Sequence, residues 1–305
     1  MKPRLAVTIG KLKLKNPVMV ASGTFGYAEE FADFLDLKQL GAIVSKTITL
    51  RSRQGNLPPR TCETPAGLLN SIGLENPGLE VFLKEKLPVL KKIGVPVIVS
   101  IASEAGQEEF VEIASRLDKI KEIAAIELNI SCPNIRGKPL LISQDAGATY
   151  NLVKAVRKIT SKPLIAKLSP NVTSISDIAL AAEKAGSDAV SLINTLTAMS
   201  IDVETRRSKI ASVTGGLSGP AIRPIAVRMV WEVYQKVRIP IIGMGGVIDT
   251  SSALEFFIAG ATAVAIGTTN FINPKVSIEI INGIKKYMRE NKIKDVKRLI
   301  GTLKI

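Results

Sequence analysis

Eight short, β-rich apolar runs recur along the chain, near Val18–Ala21, Ile43–Ser45, Val97–Ile101, Ala125–Ile130, Leu164–Leu168, Ala189–Ile193, Ile239–Met244 and Ala263–Ile266. Each is nearly continuous in apolar residues rather than alternating, as a parallel strand buried on both faces requires. Stretches of helical periodicity separate them. In 221–237, Ile222, Ile225, Met229, Val230, Val233 and Val237 fall mostly at three- and four-residue steps and mark one buried stripe. Ser176 is expected to cap a helix running to Ala185, with Gly186 as its left-handed stop. The joint Ala185-Gly186-Ser187-Asp188-Ala189-Val190 returns two strand–helix units later as Ala259-Gly260-Ala261-Thr262-Ala263-Val264. Eight alternating units of this kind close most simply into a (β/α)8 barrel of the α/β class. A doubly wound sheet is the alternative, but its usual first-turn GxGxxG is absent. Leu5–Ile9 and Lys11–Lys15 predict an N-terminal hairpin plugging the bottom of the barrel. The long loops 46–76 and 194–218 fall on its C-terminal face. After Pro274 the pattern leaves one long helix and a basic tail, so residues 1–305 are expected to form a single domain.

Composition narrows the chemistry. The 305 residues include no histidine and two cysteines, Cys62 and Cys132. A Ser-His-Asp triad, a His-ligated metal and an imidazole base are thereby excluded. Two cysteines are too few for a four-thiolate zinc or iron–sulfur site, and no metal is expected. Acid–base work near neutral pH falls to Cys, Lys, Tyr, Asp, Glu or a cofactor. The 41 Lys and Arg exceed the 27 Asp and Glu to give a formal charge of +14. The cations are scattered, many beside Glu as in Leu83-Lys84-Glu85-Lys86, and read as solvated surface rather than a nucleic-acid footprint. Met1-Lys2-Pro3-Arg4 leads into alternating residues instead of a signal-peptide core. No run reaches the ~18 apolar residues of a membrane span. A cytoplasmic protein is expected.

Polar residues collect where the apolar runs end, which is where a barrel carries its chemistry. The first run ends in Ala21-Ser22-Gly23-Thr24 and the second in Ser45-Lys46-Thr47. The fourth leads into Asn129-Ile130-Ser131-Cys132-Pro133-Asn134, and the fifth holds Lys167 among Ile165, Ala166 and Leu168. The sixth ends in Asn194-Thr195, the seventh in Gly243-Met244-Gly245-Gly246 and the eighth in Gly267-Thr268-Thr269. Glycines let backbone N–H groups approach an anion, and phosphate sites in this fold favour the loops after strands seven and eight. Gly245-Gly246 alone reads equally as a tight turn; with Gly267-Thr268 and Ser218-Gly219-Pro220 it reads as a phosphate cradle. Lys46 and Lys167 stand at desolvated strand ends, where an unpaired ammonium is costly, so each is expected to face an anion or polar ligand. The alternative is a lysine that snorkels to solvent. Cys132 lies in a loop between two asparagines, and a thiol with an ordinary pKa of ~8.5 suits proton transfer; an inert core thiol is the alternative. Cys62, between Thr61 and Glu63, lacks such a setting and is read as structural.

Together Ser45-Lys46-Thr47-Ile48-Thr49, Asn70-Ser71-Ile72-Gly73-Leu74-Glu75-Asn76-Pro77-Gly78, Asn129-Ile130-Ser131-Cys132-Pro133-Asn134 and Ile242-Gly243-Met244-Gly245-Gly246 resemble the dihydroorotate dehydrogenase family. The likeness runs in order over nearly the whole chain. Cysteine at 132 is like the class 1 soluble enzymes, whereas class 2 members have Ser there and an N-terminal extension not seen here. Thr47–Gly78, with Arg53-Gln54-Gly55-Asn56 and Thr64-Pro65-Ala66-Gly67-Leu68-Leu69-Asn70, is most similar to class 1B catalytic subunits. The resemblance implies an FMN enzyme that oxidises (S)-dihydroorotate to orotate in pyrimidine biosynthesis. It implies that Cys132 removes the C5 proton while hydride leaves C6 for flavin N5. By the same resemblance, Lys46, Asn70, Ile72, Gly73, Leu74, Asn129, Asn134, Asn194 and Thr195 surround the orotate ring and its carboxylate. Asn suits that ring because it both donates and accepts hydrogen bonds. Ser22, Gly23, Lys46, Thr47, Asn129, Lys167 and Ile193 match the isoalloxazine and ribityl contacts, and Gly219, Gly245, Gly246, Gly267 and Thr268 the phosphate. A cation at Lys167 stabilises a reduced, anionic flavin. Ser100 departs from an Asn that many members place near the flavin, and Thr195 from a common Ser.

The class 1B resemblance implies a separate subunit with FAD and a 2Fe–2S cluster, passing electrons to NAD, beside a homodimer of this chain. The chain has too few cysteines for that cluster and no Rossmann fingerprint. Class 1A homodimers use fumarate. A tRNA-dihydrouridine synthase shares the Cys-Pro after Asn, but 275–305 is too short for its C-terminal helical domain, and Asn70–Gly78 would go unexplained. A dihydropyrimidine-dehydrogenase-like activity differs in a substrate that lacks the carboxylate. A non-catalytic, nucleic-acid-binding barrel would carry no flavin and bind with strong salt dependence.

Overall fold

The computed structural model of the chain describes residues 3–131 and 142–304. Eight short parallel strands close into a barrel. They are β1 (Val18–Val20), β2 (Ala42–Val44), β3 (Val97–Ile101), β4 (Ile123–Asn129), β5 (Leu164–Lys167), β6 (Ala189–Leu192), β7 (Ile241–Met244) and β8 (Ala263–Ile266). Barrel neighbours are also sequence neighbours, with β8 returning to β1. This is the (β/α)8 architecture that the apolar runs predict. Strands buried on both faces explain why those runs do not alternate.

Strand register sorts the residues into two faces. Ser100, Glu127, Ile165 and Ala189 form one continuous row across β3 to β6. Asn129, Lys167, Ser191 and Ile242 form the next row, and both rows point into the barrel. Their alternates, such as Ile126, Leu128 and Ala166, face the surrounding helices.

The helices follow the pattern with one correction. The cap of helix Ile175–Lys184 is Ser174, whose Oγ accepts the Asp177 N–H at 3.4 Å. Ser174 has the extended backbone (φ −135°) that an N-cap needs, and the predicted cap Ser176 lies inside the first turn. Gly186 and Gly260 both take positive φ, and the residue after each bonds five residues back, Ser187 to Ala182 and Ala261 to Phe256. That is the Schellman stop, used twice. The 221–237 stripe resolves into a short 3-10 turn, Pro220–Ile222, and helix Arg223–Tyr234, burying Ala226, Met229, Val230 and Val233.

The N-terminal hairpin pairs Val7–Ile9 with Leu12–Leu14 and buries those four apolar side chains. Its Gly10 turn is so close to Asp188, just before β6, that a Cβ there would lie 2.7 Å from the Asp188 Cβ. The hairpin therefore sits at the N-terminal pole of the barrel.

The opposite pole holds structure that the hydrophobic pattern does not announce. Thr61–Thr64 and Gly67–Asn70 come from the loop after β2, and Leu196–Ala198 and Gly215–Ser218 from the loop after β6. They join as one four-stranded antiparallel sheet, with Gly67–Asn70 against Gly215–Ser218 at its centre. This sheet roofs the C-terminal face.

Candidate active site

Between the roof and the strand ends lies a cavity of about 630 Å³, within the range of cofactor and ligand sites. Asn129, Lys167 and Met244 form its floor, joined by Ser22, Lys46 and Thr47 beyond the first two strands. Leu68, Asn70, Gly216 and Ser218 contribute from the roof.

Lys167 is only 5% exposed, and its Nζ donates to Ser22 Oγ at 3.0 Å. β5 and β1 stand four places apart in an eight-strand barrel, so this side chain reaches across the mouth from one wall to the opposite one. No ion pair among the described residues involves it. Among the described residues its hydrogen-bond partner is that one hydroxyl, and a buried ammonium so placed has donor capacity left for an anion.

A chain of hydroxyls and amides crosses the rest of the floor. Ser100 Oγ bonds Thr47 Oγ1 at 2.9 Å, and Asn129 Nδ2 donates to the same Thr47 oxygen at 3.2 Å. Asn129 Oδ1 accepts from Ser131 Oγ at 2.9 Å. Asn194 Nδ2 donates to Ser131 Oγ, while its Oδ1 accepts the Thr195 N–H at 2.9 Å. Each amide is thus fixed in rotation, with capacity left for a ligand. Ser100 is fully buried behind Thr47 and does not line the cavity; it acts on the site through the Thr47 hydroxyl.

At the other end, Gly219, Gly245, Gly246, Gly267 and Thr268 line the cavity together. Thr268 Oγ1 bonds Ser218 Oγ at 2.8 Å and ties the loop after β8 to the roof. Ile193 also lines the cavity, beside Gly245, where a built Cβ would lie 3.3 Å from its Cγ1. Above the floor, Ile72, Gly73 and Leu74 are held by their neighbours: Asn56 N–H donates to the Ile72 carbonyl at 2.9 Å and Arg53 Nε to that of Gly73 at 3.2 Å. Asn70 Nδ2 donates to the Gly216 carbonyl at 3.1 Å, locking the roof strands together.

The structure therefore gathers Ser22, Gly23, Lys46, Thr47, Asn70, Ile72, Gly73, Leu74, Asn129, Lys167, Ile193, Asn194 and Thr195 around one cavity with the glycine cradle. Cys132 and Asn134 lie outside the described residues. Sequence reasoning missed Asn171, another lining residue. Its Nδ2 donates to Ser169 Oγ and the Thr195 carbonyl, at 3.1 and 3.2 Å, and its Oδ1 accepts the Thr197 N–H at 2.9 Å. Its position four residues after β5 was the available signal. It also missed the Arg60–Glu75 ion pair at the cavity's edge. Among the described residues no cluster of three or more His, Cys, Asp or Glu could hold a metal. Among them, too, no helix is long and apolar enough to cross a membrane.

A closed parallel barrel with a buried cation and a cluster of glycines at its C-terminal mouth has the architecture of the (β/α)8 enzymes, which carry their chemistry at that face. The sequence profile of the dihydroorotate dehydrogenase family matches residues 4–288, and the chain belongs to that family, a family of oxidoreductases. Its relatives point to class 1B. It is 52% identical over 302 residues to the dihydroorotate dehydrogenase B (NAD(+)) catalytic subunit of Geotalea uraniireducens (strain Rf4), covering 99% of each chain. To the same subunit of Geotalea daltonii it is 53% identical over 304 residues, covering 100% of this chain and 99% of the relative. The subunit of Caldicellulosiruptor bescii is 52% identical over 301 residues, covering 99% of both. The crystal structure of the Eimeria tenella dihydroorotate dehydrogenase, in complex with ferulenol, matches with a TM-score of 0.81 at 23% identity. That match covers 98% of this chain and 88% of the other, and it supports the fold.

Proposed function

We propose that the chain binds FMN and oxidises (S)-dihydroorotate to orotate as the catalytic half of a two-component enzyme. Lys167 carries this reading: a buried ammonium spans the barrel mouth, bonded among the described residues only to a serine hydroxyl, and faces a cavity with a glycine cradle at one end. When bound, FMN supplies the acceptor for the substrate's C6 hydride. Lys167 and Ser22 hold negative charge at the pyrimidine edge of the isoalloxazine. Gly23, Thr47, Asn129 and Ile193 flank that ring, with Ser100 orienting Thr47. Gly219, Gly245, Gly246, Gly267 and Thr268 hold the phosphate through backbone N–H groups and one hydroxyl. Lys46, Asn70, Ile72, Gly73, Leu74, Asn129, Asn134, Asn194 and Thr195 hold the substrate ring and its carboxylate. Cys132 takes the C5 proton.

The test begins with the colour of the purified protein, which is expected to be yellow and to bleach when dihydroorotate is added anaerobically. Cys132→Ala keeps the flavin and binds orotate, and its turnover falls by roughly 10²–10⁴-fold. Cys132→Ser is also slower than wild type, because a hydroxyl ionises far less readily than a thiol. Lys167→Ala loses flavin or its reduction; near-normal turnover of Cys132→Ala or unchanged flavin behaviour of Lys167→Ala would remove that residue from the mechanism. Turnover of dihydroorotate but not dihydrouracil separates this reading from one that needs no carboxylate.

The relatives' designation as a catalytic subunit supports a partner with FAD and a 2Fe–2S cluster, beside a homodimer of this chain. Anaerobic assays are expected to show NAD+ reduction only after that partner is added. NAD+ reduction by the isolated chain would refute the two-component reading.

A further inference from the structure

Among the described residues, register identifies Lys46, Glu127 and Lys167 as ionisable residues that point into the barrel from its strands or just past them. Lys46 and Lys167 line the cavity; Glu127 does not. It lies one row deeper, 1% exposed, on β4 beside the strand of Lys167. Its inward surroundings mix buried apolar side chains, Ile98, Ala125, Ile165, Ala189 and Ile242, with the hydroxyls of Ser100 and Ser191. Glu127 Oε2 accepts from Ser191 Oγ at 3.1 Å, and Oε1 has no hydrogen-bond partner among the described residues. Ser191 stands in direct register with Lys167.

A carboxylate is an expensive choice for such a place, and an apolar residue like its neighbours would fill it without that cost. Lys167, on the adjacent strand and two residues further along, is an inward cation that can offset it. Adjacent strands and a two-residue offset put the two Cα atoms roughly 8 Å apart. Neither side chain has an ion-pair partner within contact distance among the described residues; Lys167 lines the cavity, and Glu127 lies buried one row beneath it.

We infer that Glu127 is the internal counter-charge of the active site, a positioning residue that weakens the field of Lys167 at the flavin and so lowers the reduction potential. The inference rests on the flavin reading above. Lys167 alone favours negative charge on the reduced ring; a fixed carboxylate one row beneath opposes it. The barrel thereby holds the cofactor at a potential from which electrons can leave for an acceptor.

Sulfite tests this without turnover, because its addition to the flavin also places negative charge on the ring. Glu127→Gln keeps the shape and removes the charge. FMN-loaded E127Q is expected to bind sulfite roughly ten-fold more tightly than wild type. Its midpoint potential, measured by dye equilibration, is expected to move positive. Glu127→Asp keeps the charge and is expected to stay near wild type in both measurements, which a purely structural role would not require. If Gln is not tolerated, Glu127→Met removes the ion with an apolar side chain of similar length, and the same two shifts are expected. FMN-loaded E127Q or E127M with wild-type sulfite affinity and potential overturns the inference and leaves the flavin reading standing. A wild-type protein that binds no FMN overturns both.

Discussion

Gly246 has a φ of +76°, and a Cβ built on it would lie 2.6 Å from Arg223 Cβ and 2.9 Å from the Gly219 carbonyl oxygen. Only glycine fits there, for reasons of both backbone and space. Gly246→Ala is expected to destabilise the fold by about 1–3 kcal/mol and to weaken FMN retention. A melting curve and a flavin titration check the two effects. Gly267 is the contrast, because its built Cβ meets nothing closer than 4.0 Å. Gly267→Ala is expected to keep the melting temperature, so any loss of FMN affinity reports the approach of the cofactor itself. The sequence placed both glycines beyond strand ends. It could not say which was crowded, because Arg223 and Gly219 arrive from a different strand–helix unit. Lys167 was legible for the opposite reason: a charged residue inside an apolar run advertises itself. Glu127 has the same signature within Ala125–Ile130, and only the register shows its relation to Lys167.

Elements were most legible where local chemistry decides them. Asp249 opens helix Thr250–Ala259 with a reciprocal capping box: its Oδ1 accepts the Ser252 N–H at 2.8 Å, and Ser252 Oγ accepts the Asp249 N–H at 2.9 Å. Asp249→Ala is expected to cost about 1–2 kcal/mol, read as a lower denaturation midpoint at unchanged m-value. This helix follows Gly245-Gly246 directly, so flavin retention is expected to fall with its fraying. The Ser174 cap shows the limit of such reasoning. Ser174 and Ser176 are equally good caps by type, and the choice between them depends on which backbone stays extended. The roof sheet was beyond reach. Thr61–Thr64 alternates between exposed and half-buried positions, and Gly215–Ser218 begins with two glycines. Gly67–Asn70 pairs with both, and its pairing with Gly215–Ser218 joins residues as far apart as Leu68 and Ser218, 150 positions along the chain. No local pattern encodes a partner at that distance.

At the scale of the molecule, the barrel has an open pole and a tied one. The helices' last turns carry Lys91 and Lys92, Lys154 and Arg157, Lys184, and Arg289, where a cation complements the helix dipole. In a (β/α)8 barrel those turns meet the N-terminal ends of the strands, away from the cavity. These cations therefore have a structural use at the closed pole. The same pole is laced by side chains. Arg157 pairs with Asp188 at 2.8 Å, Lys162 Nζ donates to the carbonyls of Ile120 and Ile123, and Glu183 accepts the N–H groups of Arg238 and Ile239. Asp118 accepts from Thr160 Oγ1 at 2.6 Å and from the Ser161 N–H at 2.9 Å, and the Thr160 hydroxyl is the main reason its carboxyl sits below the ordinary carboxylate range. A carboxyl depressed in the folded state contributes stability above its unfolded pKa and loses it as pH falls through the folded value. Asp118→Asn is therefore expected to melt below wild type at neutral pH, with the gap closing in acid below about pH 4. A gap independent of pH would assign the effect to packing instead.

The sequence by itself determined the strand–helix alternation, because a strand buried on both faces must be apolar and a helix on the barrel's flank must be striped. It also determined which polar residues end those strands, and with them the class of chemistry. Only the tertiary structure decided how those ends meet. Closing eight strands into a ring set Ser22 opposite Lys167, and the register set Glu127 one row beneath it. Two distant loops then folded into a common roof. These are long-range contacts, fixed by ring closure and strand register, and neighbouring residues along the chain carry no record of them.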